Sequence, residues 1–558
     1  MRKTVHARSR ALAWTGVILG ALLVAPGCVE GRDHGPARAL ATPTQGLEGG
    51  LARTPPMGWN SWNRFGCDID ERLIREMADA MVESGLRDAG YQYLNIDDCW
   101  QKSRDKNGNI VADPSTFPGG IRALSDYLHA RGLKLGLYSD HGLKTCQGRP
   151  GSYGYESQDA SRYAAWGADY LKYDNCFIAP GSHQQQDYER MRDALATTGR
   201  DIVFSLCAWG FQGWMPAAGH LWRTTGDISD SWDSMIQIAD TNADLAAFAR
   251  PGAWNDPDML EVGNGGMSDS EYRAHMSLWA IMAAPLIAGN DLRSMSESTR
   301  QILGNPEVIA VDQDPLGKQG VKLQAEGALQ VFARELSGSG ERAVVLLNRG
   351  NAEVEMKVRF GDLGLSSSRA RVRDLWAGEE RGVYEHGYAT RVAAHGAVML
   401  KVWGDPTEAP KGSAYLSDLA WKTPPANGWG PVERDRSNGE KDSGDGRPLS
   451  VDGVVYPKGL GVHARSEVRY ALGSRCARFS AVIGLDDEAG DRGGVIFRVL
   501  GDGEVIYESG VVTGKTPAKK LDLDLTGTDE LGLQVIESNG DFGYAHADWA
   551  DARITCTP

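Results

Sequence analysis

The stretches LKLGLYSD (133–140) and DYLKYD (169–174) decide the fold class. Each is a short, mostly apolar run that ends in an aspartate, and a helical pattern lies between them, as in a strand–helix–strand unit. Six further short runs flank them, and four of the six also end in an aspartate: MGWNSW (57–62), YQYLNIDD (91–98), IVFSLCAW (202–209), HLWRTTGD (220–227), AWNDPD (253–258) and PLIAGND (285–291). Eight strand–helix units of this size predict a (β/α)8 barrel.

A doubly wound open sheet is the alternative fold. It is disfavoured because no glycine-rich dinucleotide turn follows the first strand. Acidic residues also collect where the predicted strands end, at Asp97, Asp98, Asp140, Asp174, Asp227, Asp256, Asp258 and Asp291. Barrel active sites are assembled from the C-terminal ends of several strands, which explains such a ring. Asp140 and Asp291 alone are interpreted as helix N-caps.

The chain is long enough for several domains. We predict the barrel over residues 51–315 and, from the alternating pattern that follows, an antiparallel β-sandwich over residues 316–403. Residues 404–413 form a linker. Residues 414–558 are again rich in strand patterns and predict a second β-sandwich.

The N-terminus is typical of an exported protein. Residues 1–28 combine basic residues with an apolar run too short for a stable membrane span, and therefore predict a signal peptide. Cys28 is a candidate lipid attachment site, and residues 29–50 predict a flexible linker. We expect a secreted, periplasmic or lipid-anchored bacterial protein, with membrane attachment only through that lipid.

Composition excludes some ligands. The formal net charge is −15 and the sequence pI is near 5.3, so the surface repels phosphate backbones and nucleic acid is not an expected partner. The acidic balance does not oppose a neutral ligand such as a sugar. The eight cysteines form no CxxC or Cys/His cluster, so no zinc site is predicted.

Two of the strand-end aspartates have the positions that glycoside hydrolysis with retention requires. That reaction needs one ionised carboxylate as nucleophile and one protonated carboxyl group as acid. Asp174 ends the fourth predicted strand and Asp227 the sixth, so both can face the barrel mouth. Lys172, two residues before Asp174, shares its strand face and favours its ionised form. Arg223 can bind the sugar or tune the acid.

Asp97 and Asp98 precede Cys99 and Trp100. Carboxylates accept hydrogen bonds from sugar hydroxyls while an indole packs on the sugar face, so this group predicts a sugar site. The rival interpretation is a Ca²⁺ or Mg²⁺ site. It ranks lower, because Lys172 and Arg223 in the same ring would repel a cation.

Seven motifs carry a specific resemblance: LARTPPMGWNSWNRFGC (51–67), LNIDDCW (94–100), LGLYSDHGLKTC (135–146), YLKYDNC (170–176), WNDPDML (254–260), LWAIMAAPLIAGNDLR (278–293) and VIAVDQDPLGKQG (308–320). They resemble glycoside hydrolase family twenty-seven, the α-galactosidases and α-N-acetylgalactosaminidases. The likeness runs from about residue 51 to 403. It implies an enzyme that removes terminal α-linked galactose from oligosaccharides or polysaccharides by double displacement with retention, without a metal or organic cofactor.

The resemblance also implies site residues. Asp174 matches the family nucleophile and Asp227 the acid/base. The positions that match the sugar pocket are Trp62, Asp97, Asp98, Tyr138, Cys146, Lys172, Cys176, Arg223, Asp258 and Met259. The motifs imply disulfides Cys67–Cys99 and Cys146–Cys176, and leave Cys207 as a free, buried thiol. Cys476 and Cys556 are a further candidate pair.

One position departs from the family pattern. After the fifth strand, α-galactosidases often carry a glutamate that binds the sugar 2-hydroxyl, whereas this chain has Ala208 in SLCAWGFQGW (205–214). α-N-acetylgalactosaminidases have small residues there. Phe211, Gln212 or Trp214 can refill the space, so the preference at the 2-position stays open, with galactose first.

The last domain resembles a carbohydrate-binding module attached to such enzymes, through SDLAW (417–421), YPKGLGVHA (456–464), IGLDDEAG (483–490) and HADWADARI (546–554). Asp486, Asp487 and Glu488 are either a Ca²⁺ site or a solvated acidic loop.

The sequence leaves three functions to compare: an α-galactosidase, an α-N-acetylgalactosaminidase on the same scaffold, and a non-catalytic sugar-binding surface protein. Both candidate carboxylates and Lys172 are intact, which argues against the last.

Overall fold

A computed structural model describes residues 50–439, 441–538 and 543–557 of the chain. The predicted signal peptide, Cys28 and all but the last residue of the predicted 29–50 linker lie outside the described residues.

The first domain is the predicted barrel. Eight parallel strands form one sheet in the order β10-β1-β2-β5-β6-β7-β8-β9. They are β1 (Met57–Asn60), β2 (Tyr93–Asn95), β5 (Lys134–Asp140), β6 (Ala168–Asp174), β7 (Val203–Leu206), β8 (Leu221–Arg223), β9 (Trp254–Asp256) and β10 (Leu286–Ala288), and a hairpin of β3 (Gln101–Arg104) and β4 (Ile110–Ala112) follows β2. Leu260, beyond β9, forms a parallel bridge with Ala288 of β10, which joins the two edges of the sheet.

Helices surround this sheet because their apolar faces need a partner. They are α1 (Trp62–Phe65), α2 (Glu71–Glu83), α3 (Gly120–His129), α4 (Glu156–Trp166), α5 (Gln184–Ala196), α6 (Met215–Ala218), α7 (Trp232–Ala243), α8 (Asp269–Ile281), α9 (Glu297–Leu303) and α10 (Pro306–Asp312). In α2, Leu73, Ile74, Met77 and Met81 are buried, as their spacing predicts. Asp70 caps this helix by accepting a hydrogen bond from the Leu73 amide.

Several strands end earlier than the sequence indicates. β8 ends at Arg223, so Asp227 lies four residues beyond the strand and does not end it. The reason is local: the Arg223 guanidinium donates to the Gly226 carbonyl at 2.6 Å, which holds the following residues in a tight turn. Asp97, Asp98 and Asp258 likewise follow their strands. All of them remain on the C-terminal side of the barrel.

The second domain is an antiparallel sandwich. Its strands are β11 (Val321–Glu326), β12 (Leu329–Glu335), β13 (Glu341–Asn348), β14 (Val354–Arg359), β15 (Leu365–Asp374), β16 (Glu379–Tyr384), β17 (Gly387–Val392) and β18 (Gly396–Pro406). Six form a sheet in the order β11-β12-β13-β18-β15-β16, and β14 pairs with β17. Alternate residues of β13 and β18 pack on opposite faces, one toward the barrel helices and one into the sandwich core.

The third domain contains two main antiparallel sheets. Its strands are β19 (Ser413–Tyr415), β20 (Glu433–Arg434), β21 (Leu449–Val451), β22 (Val454–Tyr456), β23 (Gly459–His463), β24 (Ser466–Ala471), β25 (Cys476–Leu485), β26 (Val495–Gly501), β27 (Glu504–Val512), β28 (Lys519–Asp524), β29 (Glu530–Glu537) and β30 (His546–Cys556). One sheet has the order β20-β23-β30-β25-β28 and the other β24-β29-β26-β27. Trp549 is buried in the core between them.

Within the described parts of the chain, none of the helices has the length and apolar character needed to cross a bilayer.

Candidate active site

The mouth of the barrel holds Asp174, the last residue of β6. Its side chain is buried and accepts hydrogen bonds from two neighbouring strands. The Tyr138 hydroxyl of β5 donates to Oδ2 at 2.8 Å, and the Trp209 indole, after β7, donates to Oδ1 at 2.9 Å. The Asn175 amide also donates to Oδ1, at 2.9 Å. Three donors around one carboxylate fix its plane, as a nucleophile requires.

Asp140 lies beside Asp174, and its predicted role as a helix cap is wrong. The next helix begins only at Glu156. The Asp140 carboxylate instead accepts hydrogen bonds from the amides of Gly142 at 2.6 Å and Cys176 at 2.8 Å. Burial, and then the charge of Asp174, raise the pKa of Asp140 to about 8. Through these two amide contacts, Asp140 orders the loops around Asp174. Asp291, in contrast, caps a short helical turn as predicted.

Lys172 points into the same pocket, but its direct partner is Asp97. The ammonium group lies 2.8 Å from Asp97 Oδ2, which also accepts a hydrogen bond from the Asn60 amide at 2.8 Å. The charge of Asp174 acts on Lys172 more weakly than that of Asp97. The direct ion pair of Lys172 is therefore with Asp97 and not with Asp174.

Asp98 is buried next to Asp97 and is held by backbone amides. Its carboxylate accepts from Cys99 at 2.7 Å and from Gln147 at 2.8 Å. Burial raises its pKa. The predicted indole partner of this pair is wrong, because Trp100 is fully buried, packs on Tyr163 and Trp166, and does not face the pocket.

Arg223 organises the other side of the pocket. It is buried, and its guanidinium lies 3.1 Å from Asp227 and 3.1 Å from Asp258. The side chain of Asp227 is 69% exposed, so it is open to solvent. Burial raises the pKa of Asp258, and the positive charge of Arg223 opposes that rise.

The free cysteine connects the two sides. Cys207 is unpaired and buried, as predicted, and its sulfur lies 3.8 Å from Arg223 Nη1. Burial, followed by the charge of Asp174, raises the pKa of its thiol, and the charge of Asp227 acts in the same direction. The charges of both candidate catalytic carboxyl groups therefore act on one buried residue.

The backbone is strained at this end of the barrel. Four non-glycine residues that follow barrel strands have positive φ: Cys99 at 82°, Phe177 at 42°, Trp209 at 61° and Asp258 at 81°. L-residues adopt this region at a cost, which folds retain mainly at functional sites. Backbone strain thus marks the loops that carry the candidate site residues.

The remaining predicted residues also lie here. Trp62 begins α1 directly after β1 and is half-buried, and Met259 is buried beyond Asp258. Cys146 and Cys176 form a disulfide between the loops after β5 and β6. The disulfides Cys67–Cys99 and Cys476–Cys556 are present as well. Among the described residues, the group of Asp140, Asp174, Cys146 and Cys176 is the only His, Cys, Asp or Glu cluster with metal-ligand spacing, and its cysteines are oxidised to a disulfide.

The loop after β7 contains a candidate functional residue that the sequence pattern does not reveal. Trp209 donates to Asp174, yet nothing in the residue pattern distinguishes it from the other tryptophans. Ala208 beside it is buried. The Phe211 ring packs against Phe248, 4.3 Å away between ring centres, and Trp214 packs against Tyr188 at 5.6 Å. Both bulky rings are therefore engaged elsewhere.

Residues 54–314 match the family model described as alpha galactosidase A, and residues 326–402 match its C-terminal beta sandwich domain. An alpha-galactosidase of Oryza sativa subsp. japonica is 55% identical over 337 residues, covering 59% of this chain and 80% of that protein. The chain belongs to the α-galactosidase family, glycoside hydrolase family twenty-seven. It is a glycoside hydrolase.

Two other relatives bear on its specificity and fold. An alpha-N-acetylgalactosaminidase of Gallus gallus is 46% identical over 361 residues, covering 60% of this chain and 89% of that protein. The crystal structure of alpha-galactosidase I from Mortierella vinacea is 39% identical, with a TM-score of 0.62 over 64% of this chain and 99% of that one. Residues 412–555 match the NPCBM/NEW2 domain, a carbohydrate-binding module.

Proposed function

We propose that the protein is an exported, retaining exo-glycosidase that removes terminal α-linked galactose from oligosaccharides or polysaccharides. The observation that carries this proposal is the pair of side-chain hydrogen bonds, from Tyr138 and Trp209, that fix Asp174 at the barrel mouth. The family relationship and the alpha-galactosidase relatives support the galactose substrate.

The chemistry takes two steps. In the first, Asp174 attacks the anomeric carbon while Asp227 donates a proton to the glycosidic oxygen, so the glycosidic bond breaks and a glycosyl ester forms on Asp174. In the second, Asp227 takes a proton from water, and the oxygen of that water displaces Asp174 from the anomeric carbon. Two inversions give retention, and both carboxyl groups return to their starting states.

The pocket supports removal of a terminal unit. Its walls include Asp97 and Asp258, which are buried, and Lys172, whose side chain is 14% exposed; all three are paired with neighbouring polar groups. Carboxylates and an ammonium group suit the hydroxyls of one sugar ring. A pocket closed by buried charged side chains fits a chain end better than an internal sugar.

The test is covalent trapping. A 2-deoxy-2-fluoro galactosyl fluoride should label Asp174, identified by peptide mass, and Asp174→Asn should lose activity and labelling. Asp291→Asn, which removes a carboxylate that caps a helical turn, is the matched control and should keep both. A label on another residue, or full turnover by Asp174→Asn, would show that the nucleophile is misassigned.

The acid/base role of Asp227 has its own test. Asp227→Ala should hydrolyse substrates that have poor leaving groups slowly. Azide should restore turnover, because it replaces water in the second step and releases α-galactosyl azide. Absence of azide rescue, with the variant folded, would contradict the role.

A second activity, α-N-acetylgalactosaminidase, is favoured by one feature of the site. Ala208, a small residue, stands where a glutamate would bind the 2-hydroxyl, and Phe211 and Trp214 pack onto the rings of Phe248 and Tyr188. Paired assays with nitrophenyl α-galactoside and its N-acetylated analogue separate the two. Higher kcat/KM for the N-acetyl sugar would reverse the ranking.

Export rests on residues 1–28 and lipid attachment on Cys28. Fractionation should find the mature protein outside the cytoplasm. Cys28→Ser should move it from the membrane to the soluble fraction. Retention of wild-type protein in the cytoplasm would refute export, and an unchanged membrane fraction for Cys28→Ser would refute lipidation.

A further inference from the structure

Large apolar side chains are exposed in one sector of the barrel mouth. Leu143 is 54% exposed, Phe177 and Ile178 are each 55% exposed, and Trp209 is 53% exposed. We call these four residues the mouth patch. They follow β5, β6 and β7, which are neighbours in the sheet. Isolated exposed apolar residues need no explanation, but several on adjacent loops beside a catalytic pocket mark a binding surface.

The patch is held in place by covalent and hydrogen bonds. The disulfide Cys146–Cys176 joins the loops after β5 and β6, and the Leu143 amide donates to the Phe177 carbonyl at 3.0 Å. Phe177 and Trp209 both have positive φ. These loops therefore present apolar groups from constrained backbone, where a loop free to relax would turn such groups inward.

The patch is continuous with the catalytic pocket. Trp209 donates to the nucleophile Asp174 at 2.9 Å, and Phe177 is the third residue after Asp174. A terminal sugar in the pocket has its anomeric carbon at Asp174. Whatever is bonded to that carbon must leave the pocket past its rim, where the patch begins.

Amide groups lie beside the patch. Gln184 donates to Asn175 at 2.9 Å and accepts from Gln212 at 2.5 Å, and Gln212 accepts from Trp214 at 2.9 Å. This chain of amides joins the loop after β6 to the loop after β7, and Gln212 is exposed. Apolar surface next to amide donors and acceptors suits sugar rings, which have C–H faces and hydroxyl edges, better than a lipid tail.

We infer that the mouth patch binds the leaving-group part of the substrate, namely a neutral oligosaccharide whose sugar ring next to the terminal galactose packs on Phe177, Ile178 and Leu143. This inference rests on the proposed function, because it assigns the remainder of the same substrate. It makes the chain selective for galactose attached to further sugars over galactose attached to a small group.

The experiment compares two substrates that differ only in the leaving group. α-Galactosyl fluoride carries no sugar beyond the pocket, whereas a galactosylated manno-oligosaccharide carries several. Phe177→Ala and Ile178→Ser are the test variants. Val455→Ala is the matched control, since Val455 is 63% exposed but lies on β22 of the last domain. Thermal unfolding of each variant verifies folding.

The readout is the ratio of kcat/KM for the oligosaccharide to kcat/KM for the fluoride. Loss of roughly half of the transfer free energy of a buried phenylalanine predicts that this ratio falls about three- to tenfold in Phe177→Ala. A smaller fall in the same direction is expected for Ile178→Ser, and Val455→Ala should match the wild type.

The failures are distinguishable. If the wild type hydrolyses neither substrate, the proposed function is wrong. If the wild type hydrolyses both and the ratio is unchanged in Phe177→Ala and Ile178→Ser, the function stands and the mouth patch does not bind the leaving group. A galactosyl glycolipid is assayed in place of the oligosaccharide as a third substrate. If Phe177→Ala and Ile178→Ser lower kcat/KM relative to the fluoride for the glycolipid but not for the oligosaccharide, the carbohydrate assignment is wrong.

Discussion

Replacing Arg223 by methionine tests the electrostatic design of the pocket. Arg223 is 3.1 Å from Asp258, and the side chains of both are at most 5% exposed. Methionine fills similar volume without charge. It leaves the Asp258 carboxylate buried with its nearest positive partner removed, and breaking a buried pair in this way costs about 3–5 kcal/mol.

The cost depends on pH in a direction that the structure fixes. Burial already raises the folded-state pKa of Asp258, and Arg223 opposes the rise, so its removal raises the pKa further. An acid with a raised folded-state pKa loses stability as pH rises above its unfolded value of about 3.9. Lowering the pH protonates Asp258 in the variant and recovers at most about 1.4 kcal/mol per pH unit, or about 2.7 kcal/mol between pH 7 and 5.

Thermal unfolding of the barrel at pH 5 and pH 7 measures this. Arg223→Met should unfold about 6–20 °C below the wild type at pH 7, and the gap should shrink at pH 5. Arg223→Lys keeps the charge and should lose less. Arg300→Met is the surface control, since Arg300 pairs with exposed Glu297 on α9 and its loss costs at most about 1 kcal/mol. If Arg223→Met lowers the unfolding temperature by the same amount at pH 5 and pH 7, the reasoning is wrong.

Three further predictions concern single side chains. Tyr138→Phe removes one hydrogen bond to the Asp174 carboxylate, worth about 1.5–3 kcal/mol, so kcat/KM should fall about 10- to 150-fold; unchanged kinetics would show that this bond does not orient the nucleophile. Burial lowers the pKa of His275 to about 3, so the folded barrel should lose stability as pH falls below about 6.5, and His275→Leu should weaken this acid sensitivity in melting curves; parallel curves would contradict it. Burial, and then Asp486, raise the pKa of Asp548 well above its ordinary value, so wild-type stability of the last domain should fall as pH rises above about 4; Asp548→Asn should flatten that fall, and an unaltered slope in urea unfolding would count against it.

The fold was predictable because its signals are local. Each barrel strand coincides with an apolar run, since strands of a parallel sheet are covered on both faces. The end of β8 was not predictable, because hydrogen bonds from the Arg223 side chain to the carbonyls of the next turn stop the strand before Asp227. Sequence letters do not show where a side chain competes with backbone pairing.

Which residues belong to the candidate site was predictable from the sequence, but which of these residues contact one another was less so. Asp174 and Asp227 follow from their positions after strands and from the family motifs. Asp140 was misassigned to a helix cap, because an aspartate after a strand is common in either role and only the fold shows which amides it faces. Trp100 was misassigned to the sugar face for the same reason, because it is buried behind the strands, whereas Trp209, which had no predicted role, lies at the mouth.

The sequence by itself determined the barrel, the sandwich beside it, the family and the two candidate catalytic carboxylates, because periodicity and motifs are properties of neighbouring residues. The tertiary structure alone decided that Lys172 pairs with Asp97, that Trp209 holds Asp174 and that Arg223 joins Asp227 to Asp258. These contacts connect residues from different strands, and their distances depend on how the whole barrel closes.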